Sequence, residues 1–159
     1  MSFLELPGTI TLAAMTVKPH QRTKSGQAMS GKILTSEYGG HFFEMTLVYP
    51  PMLRAQAAEL IAFLHAMRGR GGIFDVPLDN LTGVSGVAVG NFARFDNDSK
   101  IHVITSTSPL TVSPPARVPG GTLVTTGLKM RCSLASDVQE IRLNAQGLIR
   151  LEIDVIERV

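Results

Sequence analysis

The stretch "YPPMLRAQAAELIAFLHAMRGRGGIFDVPL", residues Tyr49–Leu78, holds the clearest helix pattern of a chain that is otherwise rich in strand patterns. Pro50 and Pro51 suit the start of a helix, where the missing N–H group of proline costs nothing. Gly69 suits a left-handed position at the end of the helix, and "IFDVPL" then has the composition of a strand. We therefore predict one amphipathic helix, over about residues 52–68, that packs on a sheet.

The apolar residues of this helix recur at the spacing of one helical face. The predicted core face consists of Leu53, Ala57, Leu60, Ile61 and Leu64, and Phe63 and Met67 widen it. Burial of four large aliphatic side chains contributes roughly 8 kcal/mol before entropy costs, which is enough to hold the helix on a sheet.

Alternating side chains predict strands on both sides of the helix. The clearest half-buried strand alternates Ile149, Leu151, Ile153 and Val155 with Arg150, Glu152 and Asp154. A second pattern alternates Phe43, Met45, Leu47 and Tyr49 with Phe42, Glu44, Thr46 and Val48. Since both sets of this second strand contain apolar residues, we expect both of its faces to be covered, by the core and helix or by a neighbouring subunit.

The remaining segments alternate between strand and turn compositions. Gly8–Val17 is rich in β-branched residues and is predicted as a strand, whereas the polar segment Pro19–Gly31 is predicted as an exposed arm or loop. From Leu81 onward short strands follow one another, with "DNDS" (96–99) and "NAQG" (144–147) as turns. The segment Pro109–Gly121 is rich in proline and glycine, which predicts a loop with at most an edge strand.

Together these patterns predict a mainly β fold, with antiparallel sheets of β-sandwich or β-barrel-like type and one amphipathic α-helix packed on a sheet. A length of 159 residues favours one compact chain. We expect residues 1–80 and 128–159 to form the main sheet domain. Residues 81–127 are expected to form a small β-barrel-like insertion with a proline- and glycine-rich loop.

The composition bounds the function. Lys and Arg number 15 against 13 acids, which does not demand a phosphate-binding face, so no nucleic acid partner is expected. Charged residues are only 18% of the chain, which is typical of a surface that partners cover in part. Cys132 is the single cysteine, so an internal disulfide and cysteine-based zinc sites are excluded. No signal peptide or membrane span is expected, and folding is expected in a reducing cytoplasm.

The short motifs favour structural roles. "RGRGG" (68–72) ends the helix pattern and lacks the lysine and hydroxyl residue of a phosphate loop. "DND" (96–98) lacks the further oxygen ligands and distal glutamate of a calcium loop. The four histidines, His20, His41, His65 and His102, lie far apart in sequence.

No enzyme signature stands out. The serine of "GVSGV", Ser85, stands one place early for a nucleophile elbow. No set of residues meets the nucleophile–base–orienter requirement, so we expect a protein without catalytic residues, metal or cofactor. An oligonucleotide-binding barrel is disfavoured, because Phe92 and Phe95 are the only aromatic residues between 81 and 135.

Several quoted segments resemble small tail proteins of tailed bacteriophages and prophages. In that family a strand with alternating large residues leads to "PPM", then to an "RAQAAEL" helix and an "RGR.G.F..PL" return. "GVAVGNFARFDNDSKIHVIT" followed by "SPPAR" is similar to the family's small β-barrel portion, and "RCSLASDVQEIRLNAQGLIRLEIDVIE" is similar to its last strands. The resemblance extends from about Gly39 onward, with Asn91 where Asp is usual and His41–Phe43 where Trp is frequent.

The resemblance implies a non-enzymatic structural protein of the virion, closest to a distal tail protein that forms a ring between the tail tube and the baseplate. The implied partners are other copies of this chain and other tail proteins, such as the tail tube and a tail hub or fibre. The arm and the proline-rich loop would reach neighbouring subunits through Gln21, Arg22, Lys24, Gln27, Met29, Pro114, Arg117 and Val118.

Two alternatives stay open. The first is a neck or tail-terminator protein, which assembles in the same way at the other end of the tail. The second is a carbohydrate- or receptor-binding module, which would favour more than the 6% aromatic residues of this chain.

Overall fold

The structure is a computed structural model that describes residues 4–78 and 86–159. These residues form twelve strands, an α-helix and a short 3₁₀ turn. In chain order the elements are β1 (Leu4–Glu5), β2 (Ala14–Gln27), β3 (Ile33–Val48), β4 (Met52–Leu53), α1 (Arg54–Met67), the 3₁₀ turn Gly69–Gly71, β5 (Phe74–Pro77), β6 (Phe92–Phe95), β7 (Ile101–Thr107), β8 (Leu110–Ser113), β9 (Leu123–Val124), β10 (Lys129–Leu134), β11 (Ile141–Leu143) and β12 (Leu148–Glu157). The predicted mainly β class with one helix is confirmed.

The main sheet has the strand order β1-β5-β10-β12-β3-β2, and β4 and β11 pair with the first half of β12. All of these pairs are antiparallel except β1 with β5. The alternation predicted for β12 is confirmed, because Ile149, Leu151, Ile153 and Val155 are buried while Arg150, Glu152 and Asp154 are exposed. β12 thus forms the centre of the sheet.

A second sheet, with the order β8-β7-β6-β9, is formed entirely by residues 92–124. Its strands are antiparallel, and the predicted turn at Asp96–Ser99 joins β6 to β7. The predicted loop Pro109–Gly121 contains β8 as an edge strand. Within the described residues β8 and β9 are the two edges of an open sheet, so the barrel-like closure expected for 81–127 is not formed there. Residues 81–85 of that insertion lie outside the described part of the chain.

The second sheet packs on the same core as the main sheet. Ile101 belongs to the buried core cluster, and Phe92 and Val103 pack against it. The ring of Phe92 meets that of Phe43 edge to face, with centroids 5.9 Å apart. The chain leaves the main sheet and returns to it at neighbouring points, because Leu78 N donates to Leu128 O at 2.9 Å.

Helix α1 is shorter than predicted, and its predicted core face is confirmed at Ala57, Leu60 and Leu64 and at the flanking Phe63 and Met67. Its buried residues are Ala57, Leu60, Phe63, Leu64 and Met67. Leu53, predicted on the core face, is 56% exposed, because it precedes the first helical turn with extended backbone (ψ 152°) and so leaves the 3.6-residue repeat. Ile61 is only half-buried at the margin of the face. The helix ends in two consecutive left-handed residues, Arg68 (φ 50°) and Gly69 (φ 67°), where only Gly69 was expected.

The hairpin of β2 and β3 departs most from the sequence-based expectation. The strand predicted over Gly8–Val17 begins only at Ala14, and the segment predicted as loop, Pro19–Gly31, is strand as far as Gln27. Pairing with β3 supplies the backbone hydrogen bonds that the polar composition does not predict. Pro19 is tolerated because β2 is an edge strand of the sheet.

Candidate assembly surfaces

The outer part of the β2–β3 hairpin projects from the body of the protein. We call it the arm: residues 22–27 of β2, the turn 28–32 and residues 33–38 of β3. Every arm residue is exposed apart from the half-buried Ala28. A strand of six residues spans about 20 Å. The arm begins beyond an irregularity in the β2–β3 pairing at Gln21, opposite Gly39–His41.

The two faces of the arm differ in chemistry. Residues paired directly across an antiparallel ladder share one face. The pairs Arg22–Tyr38, Lys24–Ser36 and Gly26–Leu34 therefore make a cationic face, and the pairs Thr23–Glu37, Ser25–Thr35 and Gln27–Ile33 make a hydroxyl face. The arm as a whole carries Arg22, Lys24 and Lys32 against one acid, Glu37.

Large apolar side chains of the arm lie open to solvent. Met29 is 110% exposed and Ile33 70%, with Leu34 and Tyr38 also exposed. An isolated two-stranded hairpin is marginally stable in water, because it lacks a third layer on which to bury apolar area. The arm therefore has the composition of a segment that is completed by contact with another surface.

The base of the arm and the second sheet enclose a cleft of about 870 Å³. We call it the junction cleft; it is lined by Gln21, Arg22, His41, Lys100, Pro114, Arg117, Glu157 and Arg158, among others. His20 stacks on the Phe42 ring with centroids 4.6 Å apart, and the Arg22 guanidinium lies 5.8 Å from the same ring. These two contacts hold the start of the arm, which we call its root, against Phe42 of the main sheet.

A buried ion pair lies at the floor of the junction cleft. Glu157 accepts hydrogen bonds from the Lys100 ammonium and from the backbone N–H groups of Ile101 (3.1 Å) and Phe43 (3.1 Å). The side chains of Lys100 and Glu157 are 3% and 0% exposed. Glu157 belongs to the main sheet, Ile101 begins β7 of the second sheet, and Lys100 directly precedes β7. The pair therefore joins the two sheets.

The titratable groups near this pair have structural roles. Burial lowers the pKa of His41, and the neighbouring Lys100 ammonium lowers it further. The Lys100 amine is occupied by Glu157, so it is not available as a nucleophile. His102 is buried, with Nδ1 2.6 Å from Pro114 O, so this histidine anchors the proline-rich loop.

The structure brings only some of the sequence-predicted interface residues together. Gln21, Arg22, Pro114 and Arg117 all line the junction cleft. Lys24, Gln27 and Met29 lie farther out along the arm, and Val118 is 43% exposed on the loop. Arg117 donates two hydrogen bonds to Asp98, and this hydrogen bonding lowers the pKa of the Asp98 carboxyl. Arg117 thus holds its own loop in place.

The other motifs have structural partners. "RGRGG" ends α1, and Arg70 N donates to the Asp137 carboxylate at 3.0 Å. Asp96 and Asp98 accept hydrogen bonds from the backbone N–H groups of Thr122 and Lys100. Among the described residues no group of three or more His, Cys, Asp or Glu side chains has the arrangement of a metal site. Ser85 of "GVSGV" lies outside the described residues.

Sequence reasoning missed a second surface, on the side of the main sheet that faces away from the core. Thr46 pairs with Asp154 and Val48 with Glu152, and these four residues form what we call the outer acidic face. Thr46 Oγ1 donates to Asp154 Oδ1 at 2.6 Å.

A cleft of about 640 Å³ adjoins the outer acidic face, and its other walls include Val138, Glu140 and Arg142. Val138 is 79% exposed. Residues 136–154 carry four acids, Asp137, Glu140, Glu152 and Asp154, against Arg142 and Arg150. Outward acids on β12 were expected, but only the strand register shows which neutral residues lie beside them.

The buried pair was also missed, although the sequence contains a signal for it. Glu157 continues the inward phase of Ile149, Leu151, Ile153 and Val155. A carboxylate on the buried phase of a strand requires a partner, because an isolated buried charge is costly. The identity of that partner follows only from the tertiary structure.

No protein-family model matches this chain, and a comparison with curated proteins likewise gives no match. Among the described residues no helix is long and apolar enough to cross a membrane.

Proposed function

We propose that this chain is a non-enzymatic structural protein of a bacteriophage tail, a ring subunit of the distal tail or baseplate that joins the tail tube to the tail tip. The observation that carries the proposal is the arm, a two-stranded projection with exposed apolar residues that no other layer of the described residues covers. The resemblance of the sequence to small phage tail proteins supplies the setting. The site of action would be the virion, with assembly in the bacterial cytoplasm.

The form of the arm supports assembly by repeated contacts between different patches. An arm that leaves one subunit and covers another makes a heterologous contact, which generates a ring when the rotation between subunits closes. The rigid root at Phe42 favours a defined direction for the arm, since His20 and Arg22 both pack on that ring. A defined direction is what a closed ring requires.

The chemistry of the junction cleft supports a structural protein as well. Its most buried polar groups, Lys100 and Glu157, bond to each other and to backbone N–H groups. The thiol of Cys132 is buried, which raises its pKa and suppresses the reactive thiolate. Lys100 and Glu157 stabilise the junction of the two sheets.

The test is the native mass of the purified chain over a concentration series, by light scattering and native mass spectrometry, followed by electron microscopy of any assembly. We expect a discrete ring-forming oligomer with a central opening. Gold-labelled antibody to this chain should then mark the distal end of tails in particles from phage-producing cells. A chain that stays monomeric, binds no tail protein and is absent from particles would contradict the proposal, and label at the neck would move it to the other end of the tail.

A further inference from the structure

We propose that the cationic face of the arm docks on the outer acidic face of a second copy of this chain. This inference rests on the proposed ring assembly and names the two surfaces that meet. It concerns the side of the arm that carries Arg22, Lys24 and Tyr38, and the part of β3 and β12 that carries Val48, Glu152 and Asp154.

The charges of the two faces are opposite in sign and equal in spacing. Arg22 and Lys24 are two residues apart on one strand, and so are Glu152 and Asp154. Residues two apart on one face of a strand are separated by roughly 6.6 Å, so both pairs of charges have the same separation. Face-to-face sheets stack about 10 Å apart, a distance that Arg or Lys and a carboxylate bridge together.

The neutral neighbours match as well. Tyr38 lies opposite Arg22, and Ser36 lies opposite Lys24. On the acceptor, Val48 lies opposite Glu152 and Thr46 opposite Asp154. In this register Arg22 and Tyr38 meet Glu152 and Val48. Lys24 meets Asp154, whose carboxylate accepts a hydrogen bond from the buried Thr46 hydroxyl.

Apolar residues extend the match beyond the charges. Leu34, 57% exposed, continues the cationic face toward the tip of the arm. Val138 lines the cleft next to the outer acidic face. Burial of such side chains contributes the larger part of an interface's affinity, while charge pairs set its register and direction.

The acceptor must belong to another copy. Tyr38 and Val48 lie ten residues apart on the one continuous strand β3. That separation corresponds to roughly 33 Å along an extended strand, which prevents the arm from folding back on its own outer face. The contact is therefore intermolecular by construction.

Single-stranded nucleic acid is the other ligand class that a basic strand face suggests. It is less well supported, because nucleic acid is held by stacking of bases on free aromatic rings. The Phe42 ring is stacked by His20 and covered by Arg22, which leaves Tyr38 as the exposed aromatic residue of this face. A second copy of the chain would contact both the charged and the apolar residues of this face.

The test is a charge swap. Lys24→Glu and Asp154→Lys each place like charges in contact, so each variant should require at least about tenfold higher concentration for half-assembly. The double variant should return to within about threefold of the wild type. An equimolar mixture of the two single variants should do so when the ring has an even number of subunits, because the two variants must then alternate. Arg54→Glu, an exposed charge reversal on α1, is the matched control and should assemble like the wild type.

The outcomes separate this inference from the proposed function. A wild-type ring whose assembly is unchanged by the single variants, or not restored by the swap, overturns the docking surfaces and leaves the ring intact. A wild-type dimer that follows the swap pattern supports the surfaces and contradicts the ring. A wild-type monomer at all concentrations overturns the contact. Binding of a labelled 20-nucleotide DNA strand that Lys24→Glu abolishes, with native mass unchanged, overturns it in favour of nucleic acid.

Discussion

Glu157 occupies the inward position of β12 that follows Val155, and it carries a carboxylate where the preceding inward residues carry alkyl groups. Its two oxygens are satisfied by Lys100 and two backbone N–H groups, which compensates for the lost hydration. The compensation depends on both sheets. At the residue scale the junction is therefore sensitive to the loss of one partner and much less sensitive to the loss of both charges.

Lys100→Met should lower the free energy of unfolding by roughly 3–5 kcal/mol, because it leaves Glu157 buried without its cation. Lys100→Met combined with Glu157→Gln should recover most of that loss, because the remaining group is neutral and still accepts a hydrogen bond. Urea denaturation measures both. Arg142→Met, which breaks the exposed pair with Glu140, is the control and should change stability far less. Equal stability of Lys100→Met and the wild type would contradict the account of the pair.

The histidine beside this pair gives stability a pH dependence of known sign. The pKa of His41 is lowered in the folded protein by burial first and by Lys100 second, against a smaller opposing effect of Glu157. The other charged groups that act on it are His102 and His20. Since the folded pKa lies below the unfolded value of 6.5, the unfolded chain takes up the proton first as the pH falls. The contribution of His41 to the free energy of unfolding is therefore fully present above pH 6.5, and it is lost as the pH falls through the lowered pKa of the folded state.

His41→Gln should therefore flatten the fall in unfolding free energy between about pH 7.5 and about pH 5.5. Urea titrations at several values in this range measure the slope. His65→Gln, on the exposed side of α1, is the matched control and should retain the wild-type slope. If His41→Gln left the slope of unfolding free energy against pH unchanged, the pH dependence would come from other groups.

At the scale of elements, the arm and the body should be separable in stability. Because Arg22 and Tyr38 are directly paired, residues 23–37 can be replaced by an Asn-Gly turn that closes a short hairpin. None of the removed residues is fully buried, so the unfolding free energy should stay within roughly 1 kcal/mol of the wild type while assembly is lost. Denaturation and native mass measure the two effects.

The design of that deletion matters. Removing only Gln21–Met29, as the interpretation of this segment as a loop suggests, would leave the outer half of β3 without its partner strand. An unpaired exposed edge promotes non-specific association, which would mask the result. Normal assembly of the Asn-Gly variant would show that the arm has no role in it.

The same elements show what the sequence predicts and what it does not. β12 was predicted because its neighbours impose a strict alternation of buried and exposed residues. The outer part of β2 was not, because no face of it is buried, so only backbone pairing with β3 holds it as a strand. The helix was predicted, but Leu53 was placed on its core face by spacing alone, although the helical backbone begins at Arg54. Register, which pairs Val48 with Glu152, follows only from the three-dimensional structure.

At the scale of the whole molecule, the described part of the segment between Leu78 and Leu128, residues 86–127, contributes no strand to the main sheet. Leu78 and Leu128, which flank the segment 79–127, are already joined by a backbone hydrogen bond of 2.9 Å. Replacing residues 79–127 by a short Gly-Ser linker should give a body that still unfolds cooperatively. Its midpoint should fall at lower denaturant, because Ile101 leaves the core and Glu157 loses Lys100.

Circular dichroism during urea denaturation measures the transition of this shortened chain. The full-length protein with Lys100→Met is the matched reference, since it lacks the same ion pair but keeps the second sheet. A broad, non-cooperative transition of the shortened chain would mean that the second sheet is required for the main sheet to fold.

The position of Cys132 has a practical consequence. The only thiol of the chain is fully buried in β10, and burial raises its pKa, so maleimide reagents should not reach it in the folded state. A cysteine introduced at Leu34 on the arm, or at Val138 beside the outer acidic face, would therefore be the single site for a fluorophore. When copies labelled with a donor at position 34 are mixed with copies labelled with an acceptor at position 138, energy transfer would report the distance between the arm of one subunit and the outer acidic face of the next.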